Sequence, residues 1–100
     1  MKCSSYELFF GAFSNKTRWK IVEALRHNNL NVSEICKSVK EEQSKVSHNL
    51  KKLIECHFVE VTRKGKERVY SLNKKTIIPL LNLVEKHAKS YCGRICLKKK

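Results

Sequence analysis

The stretch from Glu42 to Leu53, EQSKVSHNLKKL, decides which fold the rest of the sequence can support. Its apolar residues Val46, Leu50 and Leu53 recur at i, i+4 and i+7, which is the spacing of one face of an amphipathic helix. The opposite face is polar and basic, with Gln43, Ser44, Ser47, His48, Lys51 and Lys52. A helix with hydrogen-bonding groups at its start and cations near its end suits the groove of a polyanion, where early residues face base edges and lysines face phosphates.

A shorter helix is predicted immediately before this stretch. The segment Asn31–Glu34 has the pattern of a capping box, with Asn at the cap position and Glu three residues later. The residues expected to face inward are Ile35, Cys36 and Val39. Only the polar turn Lys40–Glu41 separates the two helices. Two short helices joined in this way predict a helix-turn-helix.

The periodicity of the sequence changes from 3.6 to 2 after Cys56–His57. Apolar residues then occur in two short runs, Phe58, Val59 and Val61 in the first and Val69, Tyr70 and Leu72 in the second. A turn at Arg63–Lys66 joins them, and its Gly65 can adopt a positive φ, so we predict a β-hairpin. The basic residues of this hairpin are Arg63, Lys64, Lys66 and Arg68. Such a cluster can serve only to solvate a loop, but its place directly after a helix-turn-helix favours a wing that contacts the phosphate backbone.

Two helices are predicted upstream of the helix-turn-helix. The first follows a capping box at Ser4–Glu7, and its aromatic residues at i, i+3, i+4 and i+7 are Tyr6, Phe9, Phe10 and Phe13. This aromatic stripe packs either into the protein's own core or against a second subunit. The second helix begins after Ser14 or Asn15 and ends near His27, where two asparagines favour a turn.

A last helix follows the hairpin, with Thr76 as its predicted cap. Pro79 is compatible with that start, because the N–H groups of the first turn have no partner within the helix. The apolar stripe of this helix contains Ile77, Leu80, Leu81, Val84, Ala88 and Tyr91. We predict a single domain over residues 1–92 and a flexible basic tail over residues 93–100.

The net charge indicates the class of partner. The chain of 100 residues has 22 Lys and Arg against 9 Asp and Glu, a formal charge of +13. This excess favours polyanions, nucleic acid before anionic membranes. No apolar run approaches the ~18 residues that a membrane span requires, and the start lacks the apolar block of a signal peptide. We therefore expect a cytoplasmic protein with no membrane partner.

The cysteines exclude two classes of small protein. They are five in number, with no CxxC pair, which argues against a secreted disulfide framework and against a zinc finger. In a reducing cytosol all five should be free thiols.

The order helix, helix, helix-turn-helix, wing, helix resembles the ArsR-like family of winged helix-turn-helix repressors over roughly residues 6–91. The resemblance rests on four pieces in the right order: SNKTR at 14–18 ahead of Ile21 and Leu25, VSEI at 32–35, QSKVSHNL at 43–50, and Val59 leading into RKG at 63–65. It implies a mainly α-helical fold with a small β-hairpin, in the order α-α-α-α-β-β-α. It also implies a homodimer through the first and last helices, with Tyr6, Phe9, Phe10, Phe13, Leu80, Leu81, Val84 and Tyr91 at the interface.

The resemblance further implies which residues contact DNA. Bases or nearby phosphates would be contacted by Gln43, Ser44, Ser47 and His48, and the backbone by Lys45, Lys51 and Lys52 together with the basic wing. The chain departs from the family pattern at Glu41, where an apolar residue is usual, and at Lys40 and His57, where Gly is common. Acidic residues near the start of a helix suit its dipole but repel phosphate there.

Family members often release DNA when a metal binds, and the residues of both family metal sites differ here. At the first site, a Cys-x-Cys pair, the chain has Asn31 and Ser33, and only Cys36 matches three positions further on. One thiolate cannot hold a soft metal. At the second site, on the last helix, Glu85 and His87 lie on different faces. We predict no metal site and no cofactor.

A thiol pair near the end of the chain leaves two interpretations open. Cys92 and Cys96 are four residues apart, so a continuing helix would place both thiols on one side, beside cations that favour thiolates. Cys3 of the partner subunit could approach them. The pair is either a thiol switch or soft-metal site at the dimer edge, or two incidental cysteines in a frayed tail.

Taken together, these patterns predict a dimeric repressor of transcription that binds specific double-stranded DNA. The alternative is a non-sequence-specific basic winged-helix domain for architectural DNA, RNA or protein binding. An enzyme is not indicated, because neighbours such as Cys56–His57 at a helix end point apart and cannot form a nucleophile–base pair. The sequence has no Gly-rich phosphate loop, paired carboxylates or metal triad.

Overall fold

The structure, a computed structural model, describes residues 6–92, with the side chain of Cys92 left out. The helices are α1 (Tyr6–Gly11), α2 (Lys16–His27), α3 (Val32–Val39), α4 (Gln43–Glu55) and α5 (Ile77–His87), and a π-helical turn over Ala88–Cys92 extends α5. The strands β1 (Val59–Lys64) and β2 (Glu67–Leu72) form an antiparallel hairpin. The predicted fold, mainly α-helical with a small β-hairpin in the order α-α-α-α-β-β-α, is confirmed.

Some predictions concern residues beyond this range. The start of the capping box at Ser4–Glu7, the thiols of Cys3 and Cys96, and the tail at 93–100 lie outside the described residues. Within residues 6–92, none of the helices has the length and apolar content needed to cross a bilayer.

Side-chain caps explain where α2 and α3 begin, and each capping hydrogen bond joins residues three positions apart. Asn15 Oδ1 accepts a hydrogen bond from the Arg18 N–H at 3.1 Å. At α3 the capping box is complete: Asn31 Oδ1 accepts from the Glu34 N–H at 2.8 Å, and Glu34 Oε1 accepts from the Asn31 N–H at 2.9 Å. Each bond satisfies an N–H group that has no partner inside the helix. Both predicted starts are confirmed.

The start of α5 lies where it was predicted, with Thr76 at the N-cap position. The Thr76 side chain makes no capping hydrogen bond. Instead Asn73 Oδ1 accepts from the N–H groups of Lys75 at 2.9 Å and Thr76 at 3.2 Å. An Asn side chain readily bonds the backbone two residues on, so Asn73 forms the turn that leads into the cap.

The end of α4 is fixed by a left-handed residue. His57 has φ 63°, its N–H donates to the Ile54 carbonyl at 2.9 Å, and the Phe58 N–H donates to the Leu53 carbonyl at 2.9 Å. This pair of bonds is a Schellman motif, which usually has Gly at the left-handed position. Lys40, with φ 59°, ends α3 in a similar way, and its N–H donates to the Cys36 carbonyl at 2.8 Å.

The core forms where the inner faces of the helices meet the base of the hairpin. Phe58 is fully buried, and its ring centroid lies 4.9 Å from that of Phe9 and 4.8 Å from that of Phe13. The predicted inner face of α4, which is Val46, Leu50 and Leu53, is buried as expected. The aromatic stripe was expected to pack either into the protein's own core or against a second subunit. Phe9 and Phe13 pack on the core, whereas Tyr6 is 86% exposed and Phe10 61% exposed.

The hairpin is longer than predicted and is joined to the helices by a third short segment. Arg63 and Lys64 belong to β1 and not to the turn, because Lys64 pairs with Glu67 across a loop of two residues. Gly65, at φ 63°, supplies the positive φ that this loop needs. Leu30, directly before α3, exchanges two backbone hydrogen bonds with Tyr70, at 3.1 and 2.8 Å. No local pattern of residues indicates this bridge.

Helices α2 and α5 are held together by one arginine. The Nη2 atom of Arg26 donates to Asn82 Oδ1 at 2.9 Å and to Glu85 Oε1 at 2.6 Å. Glu85, which the sequence analysis tested as a metal ligand, is therefore an ion-pair partner of Arg26.

The expectation that every cysteine is a free thiol is wrong for Cys56, which takes part in a disulfide bond. Its side chain lies at the end of α4, where it is half-buried and lines a small cavity with Leu8 and Gly11 of α1. Cys36 keeps a free thiol and is half-buried.

The left-handed backbone at residue 57 generates a first prediction. His57→Gly should raise the free energy of unfolding by about 1 kcal/mol, because the left-handed conformation costs a residue with a Cβ roughly 1–2 kcal/mol and costs Gly far less. Urea denaturation measures the change. The control His57→Ala keeps the Cβ and should give no comparable gain. Equal stabilisation by Gly and Ala would contradict this account.

Candidate nucleic-acid interface

The outer face of α4 is the most prominent polar surface next to the hairpin. At 100° per residue, the side chains opposite the buried face are Ser44, His48, Lys51 and, at the end of the helix, Glu55, with Ser47 beside them; all are exposed except Glu55, which is half-buried. Gln43 lies on one flank of the helix and is also exposed. The centre of this face therefore carries hydroxyl and imidazole groups that can donate and accept hydrogen bonds, with a single ammonium group towards its end.

The remaining lysines of α4 lie on its other flank, where they meet other parts of the protein. Lys52 is half-buried and lines a small cavity with Leu8 and Cys56. Lys45 Nζ lies 3.3 Å from Glu41 Oε1. The three lysines that the sequence grouped together thus have different surroundings, and Lys51 extends furthest onto the outer face.

A buried polar residue fixes α4 against α2. Asn49 is only 4% exposed, and its Nδ2 donates to the Lys45 carbonyl at 2.9 Å. Its Oδ1 accepts from Arg18 Nε at 2.9 Å. A buried amide is stable only when it is hydrogen-bonded, and here both ends are. Sequence reasoning missed this role, although an Asn flanked by the inward positions Val46 and Leu50 was a signal for it.

Glu41 brings two cations together just before α4. Its carboxylate lies 3.5 Å from Lys20 Nζ of α2 and 3.3 Å from Lys45 Nζ of α4. The hydrogen bond from Lys45, supported by the charge of Lys20, holds the pKa of the Glu41 carboxyl below its usual value. The neighbouring Glu42 accepts a hydrogen bond from the Ser44 hydroxyl at 3.2 Å. The start of α4 therefore presents compensated charges and not bare cations.

The hairpin presents cations along both strands and at its tip. Arg63 of β1 stands directly opposite Arg68 of β2, Lys64 stands opposite Glu67, and Lys66 lies in the loop. All of these side chains are exposed. Like charges directly opposite each other destabilise a hairpin, so this pair favours an anionic partner that would offset the repulsion.

The carboxylate of Glu67 is hydrogen-bonded to the helix-turn-helix. Its Oε2 accepts a hydrogen bond from Asn31 Nδ2, the residue that caps α3. Together with the bridge between Leu30 and Tyr70, this bond fixes the hairpin relative to the helix-turn-helix. The outer face of α4 and the basic hairpin consequently belong to one rigid surface.

Candidate metal ligands are dispersed over the part of the chain that the structure describes. No three His, Cys, Asp or Glu side chains there are close enough together to hold a metal ion. The ring of His87 packs against Tyr91 with centroids 5.0 Å apart.

Residues 15–61 match a family described as bacterial regulatory protein, arsR family. The matched segment begins at the cap of α2 and ends within β1, so it contains the entire helix-turn-helix. Comparison with the sequences of curated proteins found no match.

Several solved structures share the fold. Rv0081 from Mycobacterium tuberculosis is 28% identical, with a TM-score of 0.76 over 87% of this chain and 89% of that chain. The homodimeric winged helix-turn-helix DNA-binding domain of Mb0332 from Mycobacterium bovis is 24% identical, with a TM-score of 0.76 over 83% and 77%. The transcriptional repressor BigR from Xylella fastidiosa is 24% identical, with a TM-score of 0.69 over 83% and 82%. The family that residues 15–61 match is one of bacterial regulatory proteins, and the solved structures share the winged helix-turn-helix fold of this chain.

The contact between Arg18 and Asn49 generates a second prediction. Asn49→Ala should lower the free energy of unfolding by about 1–2 kcal/mol, because a hydrogen bond to a charged group is lost and the Arg18 guanidinium loses a partner. In an Arg18→Met background, which retains the apolar stem, the same change should cost less. A double-mutant cycle by urea denaturation measures the difference as a coupling free energy. Strict additivity of the two changes would contradict a direct interaction.

Proposed function

We propose that this winged helix-turn-helix chain, of which residues 15–61 match the arsR family, is a homodimeric repressor that binds a specific sequence of double-stranded DNA. The observation that carries the proposal is that uncharged and cationic side chains occupy different parts of its basic surface. Uncharged hydrogen-bonding side chains occupy the centre of the outer face of α4, whereas most cations stand on its flank and on the hairpin. Sequence is read by hydrogen bonds to base edges, and position is fixed by contacts with phosphates.

The proposed contacts follow from this arrangement. In the major groove the base edges would be read by Gln43, Ser44, Ser47 and His48. The DNA backbone would be held by Lys45, Lys51, Lys52, Arg63, Lys64, Lys66 and Arg68. Lys51 and the hairpin cations are exposed in the free protein and are ready to make such contacts. Lys45 is also exposed but is paired with Glu41, and Lys52 is half-buried.

The proposed dimer would form through α1 and α5. Large apolar side chains are exposed there, with Tyr6 at 86%, Phe10 at 61%, Val84 at 52% and Tyr91 at 79%. Leu83 of α5 is also exposed, at 64%. Exposed apolar clusters of this kind are characteristic of protein–protein contacts. Of the residues that the resemblance implied, Leu81 is already buried within one protomer, so we propose that it supports the interface from beneath.

Two-fold symmetry would present two α4 helices to one duplex. Half-sites about one DNA turn apart, arranged as a pseudo-palindrome, match such a dimer. Mb0332 is described as homodimeric and BigR as a repressor, and these descriptions support the proposal by analogy. A dimer that occupies a promoter excludes other proteins from the same stretch of DNA, which is the simplest way for it to repress.

Substitutions on α4 and on the hairpin should have different consequences. Ser47→Ala with His48→Ala should reduce the preference for the operator over a scrambled duplex by at least about tenfold, because base contacts are worth roughly 1–3 kcal/mol each. Lys64→Ala with Lys66→Ala should weaken binding to both duplexes alike and flatten the salt dependence by roughly one unit per lost phosphate contact. Fluorescence anisotropy over a salt series measures both effects, with the upstream region of the protein's own gene as the first operator candidate.

The same experiment separates the proposal from its alternative. A wild-type preference of about a thousandfold at physiological salt is expected of a specific binder. Equal affinity for native and scrambled duplexes, together with equal losses in the Ser47/His48 variant, would instead indicate a non-sequence-specific basic winged-helix domain for architectural DNA, RNA or protein binding.

The dimer surface generates a further prediction. Val84→Asp should convert the dimer to a monomer, because it places a charge in a buried apolar contact. Sedimentation velocity measures the oligomeric state. Val61 is also exposed but lies on the hairpin, so Val61→Asp is a matched control that should leave the dimer intact. An unchanged sedimentation coefficient for Val84→Asp would place the interface elsewhere.

A further inference from the structure

The carboxylate of Glu41 stands where two cations from different helices converge. It lies 3.5 Å from Lys20 Nζ and 3.3 Å from Lys45 Nζ, and only 21% of its side chain is exposed. Glu41 belongs to the turn of the helix-turn-helix, two residues before the first residue of α4. Both ammonium groups remain partly open to solvent, at 38% and 53% of their side chains. A second anion can therefore approach the lysines from outside.

We propose that Glu41 is an internal competitor of DNA phosphate that limits the sequence-independent affinity of the protein for DNA. In the free protein its carboxylate compensates Lys20 and Lys45. A phosphate can gain these two cations only by displacing the carboxylate or by sharing them with it. This inference rests on the proposed DNA-binding function and deepens it, because it identifies Glu41 as a residue that limits non-specific binding.

The charge balance of the molecule explains why such a restraint is useful. With 22 cationic against 9 anionic side chains, the protein is attracted to any duplex, and non-specific binding depends almost wholly on the number of phosphates that lysine and arginine neutralise. Two uncompensated lysines beside the start of α4 would strengthen this non-specific binding to DNA of every sequence. Base contacts, in contrast, do not depend on Glu41, so restraining the electrostatic attraction lowers the affinity for every duplex and keeps the binding of unrelated sequences weak.

The geometry also explains why the restraint acts at this position. The positive end of the α4 dipole adds to the attraction for phosphate at the same place. Glu42 is the other carboxylate there, but it is held by the hydroxyl of Ser44 and forms no ion pair with Lys20 or Lys45 among the described contacts. Glu41 alone therefore joins both lysines within residues 6–92.

Glu41→Gln tests the proposal directly. With a mixed-sequence duplex of about 24 base pairs, the variant should bind about tenfold more tightly than wild type at 0.1 M salt, and its salt dependence should steepen by about one to two units, one for each released lysine. Fluorescence anisotropy over a salt series gives both quantities. Urea denaturation of each variant verifies that the fold is retained.

Two controls isolate the role of the ion pairs. Glu23→Gln removes the same charge from α2, one turn beyond Lys20, and should change affinity by less than twofold. Lys45→Gln should weaken binding several-fold more in the Glu41→Gln background than in the wild type, where Glu41 competes for that lysine. If Glu23→Gln matches Glu41→Gln, net charge alone is responsible and the proposal is overturned.

The outcomes also distinguish this proposal from the function on which it rests. If the wild type binds the duplex and Glu41→Gln leaves affinity and salt dependence unchanged, the competitor role is excluded while DNA binding stands. If neither protein binds the duplex even at low salt, the proposed function itself fails.

Discussion

The burial of Phe58 is the contact on which the other parts of the structure depend. Its ring receives Phe9 and Phe13, so it holds α1 on the core. Its N–H completes the Schellman motif at the end of α4, and its carbonyl accepts a hydrogen bond from the Asn73 N–H at 2.9 Å. Asn73 in turn forms the turn that begins α5. One residue thus fixes the end of the proposed reading helix, the start of the hairpin and the start of the last helix.

Around this point, a few polar contacts convert packed helices into an oriented surface. Arg18 and Asn49 fix the rotation of α4 about its axis, and Leu30 with Tyr70 fixes the base of the hairpin. Hydrophobic burial is non-directional, so it would tolerate small rotations that these hydrogen bonds do not. A surface that reads base edges needs this directionality, because a hydrogen bond weakens steeply when its angle is wrong.

The features that were predicted from the sequence are those that depend on residues three or four positions apart. The caps at Asn15 and Asn31 and the inner face of α4 are local patterns, and all three were predicted correctly. The misses are contacts between distant residues. Arg18 and Asn49 are 31 positions apart, and Leu30 and Tyr70 are 40 apart, so no periodicity encodes either pair.

The candidate site shows the same division between local pattern and tertiary contact. The exposed face of α4 was predictable because it is the complement of an apolar stripe. The ion pairs of Glu41 were not, because they require the turn to place its carboxylate between two helices. The disulfide at Cys56 was missed because no local spacing in the sequence indicates it. The cap position of α5 was predicted, but the hydrogen bonds that Asn73 makes there were not.

Helix α2 carries an arginine at each end of its contact surface, and this has a mechanical consequence. Arg26 binds Asn82 and Glu85 of α5, and Arg18 binds Asn49 of α4. The two arginines are eight positions apart, which corresponds to about 12 Å along the helix. Helix α2 therefore connects the proposed dimer helix α5 to the proposed reading helix α4 through side-chain hydrogen bonds at two points. A tilt of α5 would be transmitted to α4 through these contacts. In such a dimer the distance between the two reading helices would be set by rigid parts, so a duplex with mismatched half-site spacing must itself bend or twist to be bound.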